Sequence, residues 1–202
     1  MILPTSLVTL LLPISLVVGQ STPPYPRQHT AEYDDLQSSG EPTYPGLRVH
    51  KDLNYTGPWE VAHFGRSGNV VPPKSSNNVI LLSKRDGMIN GTIKPADDDS
   101  KHYFGPQSFY YACVTRSGAG TDCSIQIIGL TQNQTTLVER IPSRSFNEMA
   151  HFTFPEHTTW RYLTRLHFTV TMKTDWSESF FQLDNFKYTY SMIDPPKKKH
   201  AK

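Results

Sequence analysis

In the stretch SFFQLDNFKYTY, residues 179 to 190, a carboxylate and an amide interrupt a run of aromatic residues. Strict alternation puts Asp184 in phase with Phe186, Tyr188 and Tyr190, the side expected to face a core. An unpartnered carboxylate is costly there, because the low-dielectric interior penalises its charge. Three arrangements relieve the conflict. A β-bulge at Asp184-Asn185 would shift the phase, putting Phe181 and Leu183 on the core side and Asp184 in water. Asp184 could instead accept backbone N–H bonds, or pair with a neighbouring Arg or Lys.

Other acid-rich or nucleophile-like stretches carry less. Asp97-Asp98-Asp99 with His102 lacks the alternate spacing and glycine of an EF-hand loop, and Pro95, Ala96 and Ser100 mark a solvated connection. GRSGN at 65–69 is not a Gly-x-Ser-x-Gly elbow, and the strand–helix alternation such an elbow needs is missing. There is no His-Glu-x-x-His motif, and His151 and His167 read as strand-surface residues. Glycoside hydrolysis needs two carboxylates facing across a cleft, and Glu60, Glu139, Glu148 and Glu178 are the candidates, unpaired by sequence. No catalytic residue is assigned; a binding protein is favoured over an enzyme.

A sugar site on a β-sandwich offers a flat aromatic ring and a few polar groups. Trp176, in MKTDWSESF, has polar neighbours and is the leading exposed aromatic, with Tyr55 and Tyr103 next. Trp59 and Trp160 lie in strand phase and are expected in the core. Arg161 and Arg165, with His167 and Lys173, form a polar stripe that could meet an anionic polysaccharide or simply face water.

The elements that must position these residues are strands. Short β-branched and aromatic runs recur between Gly, Pro, Asn, Ser and Asp clusters, and helical periodicity is scarce. Strands are predicted near 32–36, 46–50, 58–64, 78–83, 88–93, 107–115, 123–130, 135–141, 150–154, 160–172 and 180–192. In TWRYLTRLHFTVTM, Trp160, Tyr162, Leu166, Phe168, Val170 and Met172 fall on one side, and Arg161, Arg165, His167, Thr169 and Thr171 on the other. The predicted fold is all-β: a single-domain, two-sheet antiparallel β-sandwich or jelly roll over residues 32–193.

The first nineteen residues carry no charged side chain and read as a signal peptide cleaved after Gly19. Residues 20–31 read as a flexible Pro-rich leader, and 194–202 as a basic disordered tail. Asn54, Asn90 and Asn133 each begin an Asn-x-Thr glycosylation motif. The expected destination is therefore extracellular. In that oxidising setting Cys113 pairs with Cys123, registering their two strands as a hairpin with RSGAGTD at its tip. A net charge of +2 argues against a nucleic-acid partner, and no second apolar run suggests a membrane span. A monomer is expected.

The order EYDDL, TYPGLRV, NYTGPWEV, PKSSNNVILL and GMINGTI, followed by Cys113, Cys123 and Leu183-Asp184-Asn185, resembles a group of secreted fungal proteins. The resemblance spans about residues 32 to 192; Asn77-Asn78 departs from the Pro that often precedes Asn in that group's turn. It implies a galactose-binding-like jelly roll, the architecture of carbohydrate-binding modules. It also implies a structural Ca²⁺ tying the first strand to the last through Glu32, Asp34 or Asp35 and Asp184. A cation taking six to eight oxygens would give Asp184 a partner. The function this reading expects is non-catalytic binding of polysaccharide or glycoprotein, with a protein-interaction module or a small polysaccharide-active enzyme as alternatives.

Overall fold

The computed structural model describes residues 26–36, 43–65, 71–75, 77–83, 89–97, 101–115, 117–142, 148–155, 158–173 and 179–192. The strands, in chain order, are β1 Arg27–Ala31, β2 Thr43–Pro45, β3 Val49–His50, β4 Leu53–Thr56, β5 Trp59–His63, β6 Asn78–Ser83 and β7 Ile89–Pro95. They continue with β8 His102–Thr115, β9 Cys123–Thr131, β10 Thr136–Ile141, β11 Ala150–Thr153, β12 Leu163–Met172 and β13 Ser179–Met192. Among the described residues one 3₁₀ turn, Thr158–Arg161, precedes β12. The fold is all-β and antiparallel. No helix among the described residues is long and apolar enough to cross a membrane.

The strands curl into two layers. The first runs β2-β5-β6-β13-β8, with β11 on the far edge of β8. The second runs β10-β9-β12-β7-β4-β3. One hydrogen-bonded network links them at a corner, where Leu163 of β12 pairs with Phe104 of β8. Inward residues of both layers form one core. Trp59 of the first layer meets Phe168 of the second edge-on, with centroids 6.1 Å apart at 89°, and Phe109 meets Phe168 at 5.8 Å. Gly91, opposite Phe168, makes room for this packing: a Cβ there would lie 2.6 Å from the Trp59 indole nitrogen. Trp59 and Trp160 are buried as expected, Trp59 from β5 and Trp160 from the 3₁₀ turn rather than from a strand.

Cys113 and Cys123 form the expected disulfide, with Cα atoms 6.1 Å apart. Its setting differs from the expected hairpin. β8 pairs with β13 in the first layer, whereas β9 pairs with β10 and β12 in the second. Only the tip is hairpin-like, through the Val114–Gly120 bridge and the Thr121 N–H donated to the Cys113 carbonyl. The bond therefore links the two layers across the core edge.

Three further expectations shift. The first strand is Arg27–Ala31, inside the expected leader, while Asp34 and Asp35 sit in a turn after it. The long strand near 160–172 begins at Leu163; the 3₁₀ turn and a register shift between Leu163 and Arg165 break the phase, leaving Tyr162 50% exposed. β8 starts five residues before the predicted 107, running through Gly105-Pro106, where the ladder with β13 is irregular at Lys187/Tyr188. Proline lacks an N–H, so a bulged register is where a strand tolerates it.

Candidate functional site

β13 changes phase in the middle. Asn185 has a left-handed φ of 48°, and its register with β8 shifts between Asp184 and Lys187. Before this bulge Phe181 and Leu183 face the core; after it Phe186 and Tyr188 do. Phe180, Gln182 and Asp184 therefore lie on the outer side of the first layer. β6 and β1 divide one edge of β13 at the same point, β6 pairing with residues 180–183 and β1 with 186–190.

The outer side is not open water. Asp184 is fully buried, because residues 71–75 cross over it. Its Oδ2 accepts the backbone N–H groups of Lys74 at 2.8 Å and Ser75 at 2.9 Å. Its Oδ1 accepts the Ser75 hydroxyl at 2.8 Å and the Asn185 N–H at 2.7 Å. Two residues earlier, Gln182 substitutes for a peptide unit: Oε1 accepts the Val71 N–H and Nε2 donates to the Val71 carbonyl, at 3.0 and 2.7 Å. The segment is thus stitched to alternate residues of β13. Burial pushes the Asp184 carboxyl above its usual range, opposed by the Ser75, Asn185 and Lys74 bonds. Of the arrangements considered for Asp184, the bulge is present, yet the carboxylate is satisfied by N–H and O–H donors rather than by water.

Beneath and beside this segment lies a second small apolar cluster: Val71, Ala112, Val114 and Met149, with Phe180 and Tyr110 against it. Tyr110 is the pivot of the surface above it. Its ring lies 4.5 Å from that of His151 on β11, and the Lys74 ammonium stands 5.9 Å over its centroid. Lys74 also pairs with Glu148 at 3.4 Å. An aromatic ring thus sits among an imidazole, an ammonium and a carboxylate, a mixture suited to stacking on a ring and hydrogen-bonding its hydroxyls. On β5 of the same layer, the half-buried Glu60 carboxyl is raised by burial and accepts a bond from the Ser83 hydroxyl at 3.4 Å.

Of the predicted calcium residues, Asp34 and Asp35 have partners of their own, whereas the Glu32 carbonyl and Asp184 meet at the Ser75 hydroxyl. The Glu32 backbone carbonyl accepts the Ser75 hydroxyl. The Asp34 carboxylate accepts the Asn77 and Asn78 N–H groups, at 2.9 and 3.0 Å. Asp35 pairs with Lys51 at 2.8 Å and lies 3.6 Å from His50, and the Lys51 bond lowers its carboxyl. Calcium requires converging oxygens, whereas in this arrangement Asp184 is held by N–H and O–H donors and Asp34 and Asp35 bind other partners. Among the described residues no group of three or more His, Cys, Asp or Glu side chains gathers at metal-binding distance.

The predicted ligand residues scatter. Tyr55 and Tyr103 are 3% and 1% exposed, so neither ring can serve as a sugar platform; Tyr55 instead packs edge-on against Trp59 and bonds the Tyr33 hydroxyl. Arg161 is exposed in the 3₁₀ turn, and Arg165 projects from the outer side of β12. Trp176, Asp98, Asp99 and Glu178 lie outside the described residues. Asn54 and Asn90 point outward from β4 and β7, between core-facing neighbours, and Asn133 is exposed in the β9–β10 turn. Sequence reasoning missed Tyr110 and Lys74. The signal for Tyr110 was available, since Phe109, Tyr111 and Cys113 on the core side imply Tyr110 on the other.

No protein-family model and no curated protein matches the chain. Solved structures do. The chain is similar to a "Xylan-Binding Domain from CBM 22, formally x6b domain" at 14% identity, covering 86% of this chain and 100% of that one, with a TM-score of 0.45. It is similar to "Carbohydrate binding module family29" at 9% identity, covering 86% and 99%, with a TM-score of 0.42. A cyclase from Fischerella sp. TAU is similar at 8% identity, covering 84% and 100%, also with a TM-score of 0.42. At these values the chemistry has to be read from this chain's own residues.

Proposed function

We propose that this protein is an exported, non-catalytic glycan-binding module that holds a polysaccharide on the outer side of its first layer, around Tyr110. The observation that carries the reading is the cluster of Tyr110 and His151 on β8 and β11 with Lys74 and Glu148 from the adjoining loops, an aromatic ring with polar groups of both charges. Aromatic–sugar contacts work by this combination: the ring covers the C–H face while charged and polar tips bond the hydroxyls. Trp176, the exposed aromatic expected from sequence, is a second contact in this reading.

The test is retention of the full chain on insoluble glucan, chitin and pectin. Tyr110→Ala is expected to weaken retention about tenfold or more, in line with loss of an aromatic anchor. Trp176→Ala tests the second contact separately. If none of the three polymers retains the protein, the glycan reading fails and a protein-interaction role takes its place. Release of reducing ends during incubation would make the protein a polysaccharide-active enzyme instead.

A further inference from the structure

The sequence contains three Asn-x-Thr motifs, and the fold places Asn54 and Asn90 on the outer side of the second layer and Asn133 in an exposed turn at that layer's edge. In β4, Leu53 and Tyr55 are buried while Asn54 and Thr56 face out; in β7, Ile89, Gly91 and Ile93 are buried while Asn90 and Thr92 face out. These strands are neighbours in the second layer, with Thr56 opposite Thr92. Asn133 lies in the turn joining β9 to β10 at the far end of the same layer. Along a strand, residues i and i+2 share a face, so Asn54 with Thr56 and Asn90 with Thr92 point outward together. Chance placement had other surfaces available, yet the first layer bears no such motif on any of its strands.

The same side carries exposed apolar groups. Val49, 58% exposed, is the cross-strand partner of Asn54, and Val138, 48% exposed, projects from β10 just beyond the Asn133 turn. A first sugar on Asn54 would lie over Val49, replacing water on an apolar side chain with the sugar's C–H face.

We infer that the outer side of the second layer is the protein's glycan-bearing face, modified at Asn54 and Asn90 and, in its edge turn, at Asn133, and that the Tyr110 face is kept free of N-glycans for its ligand. The inference rests on the reading that the chain is exported and binds polysaccharide. Asn90 is half buried in the middle of β7, between β4 and β12, so its modification precedes completion of the sheet. Asn133, exposed in its turn, is open to modification before or after folding.

The test uses the full chain secreted from a eukaryotic host. After enzymatic removal of N-glycans, peptide mass spectrometry should find all three Asn converted to Asp. Retention on the polymer that binds best should change by less than about twofold on deglycosylation, below the tenfold that marks loss of a real contact. Lys187→Asn then moves a glycan to the other side. Lys187 is exposed on β13 beyond the bulge, paired with Ser108 of β8, and the change completes an acceptor motif with Tyr188 and Thr189. That glycan should abolish retention, and its enzymatic removal should restore it. A secreted protein left unmodified at Asn54 or Asn90 overturns the inference. So does a Lys187→Asn glycoform that binds as well as the parent. If no form binds any polymer, the proposed function fails, while the map of modified Asn still decides which face carries glycans.

Discussion

The outer sides of the two layers are built on different principles. On the second layer, β12 alternates core residues such as Leu166, Phe168 and Val170 with Arg165, His167 and Thr169, and the outward set meets water or a shallow polar neighbour such as Thr92. On the first layer, β6 reads Asn-Val-Ile-Leu-Leu-Ser and is buried on both faces, and β13 buries Gln182 and Asp184 outward under residues 71–75. A sheet face covered by chain rather than by solvent must satisfy each polar group internally. This is what Gln182 and Asp184 do. The difference teaches that a polar residue in an aromatic strand can mark where a segment crosses the sheet.

The contrast can be broken most directly at Asp184. Asp184→Ala would strand the Lys74, Ser75 and Asn185 N–H groups in a buried site and should cost about 3 kcal/mol or more in denaturant unfolding. Thr169→Ala on the second layer should stay within about 0.5 kcal/mol. Equal losses at the two positions would mean that residues 71–75 do not cover the first layer as described. Ser75→Ala removes one hydroxyl bridging Asp184 and the Glu32 carbonyl, and an intermediate loss of about 1 kcal/mol is expected.

Joining the two layers, the Cys113–Cys123 bond should contribute about 2–3 kcal/mol by constraining the unfolded chain. Reduction under native conditions followed by urea unfolding measures it. A smaller effect should follow from pH. Burial holds the His50 imidazole below its usual range, Lys51 adding to the shift and Asp35 opposing it; burial and then Arg165 do the same to His167. A depressed folded-state value means stability is complete above the unfolded pKa of about 6.5 and is lost as pH falls through the folded one. The melting temperature should therefore drop on going from pH 7.5 to 5, and His167→Gln should make the drop shallower. Asp184 acts in the opposite sense and in a more acidic window, because burial raises its carboxyl and protonation relieves that cost.

The smallest effect concerns calcium. Since donors surround Asp184, removing divalent cations with EDTA should leave the melting temperature unchanged, and adding Ca²⁺ should do the same. A calcium-dependent rise, with heat on titration, would show that Glu32, Asp34, Asp35 and Asp184 rearrange around a cation after all.

Most strands were legible because a half-buried strand writes its burial into period two. The segments 78–83, 123–130 and 135–141 match β6, β9 and β10 within one residue at each end. β4 was missed, since NYTGP reads as a turn, and β1 was hidden in a Pro-rich stretch whose strand character comes only from pairing with β13. The candidate site was less visible. Tyr110 follows from the phase of its neighbours, but Lys74 reaches it from a segment 36 positions earlier in the chain, and nothing local announces that crossing. Conversely, Tyr55 and Tyr103 were candidate sugar-stacking rings from sequence, while tertiary packing drew both inside.

Local periodicity, turn residues and paired cysteines determined by themselves that this chain would be an antiparallel all-β protein with one cross-link, because each is a short-range property of the backbone and its side-chain alternation. Which sheet each strand joins, that the disulfide spans two layers, and why Asp184 tolerates burial were decided only in three dimensions. The last of these depends on groups more than a hundred residues apart, Val71 with Gln182 and Ser75 with Asp184. Their partners lie far apart in sequence and are neighbours only in the folded arrangement, where residues 71–75 cross β13.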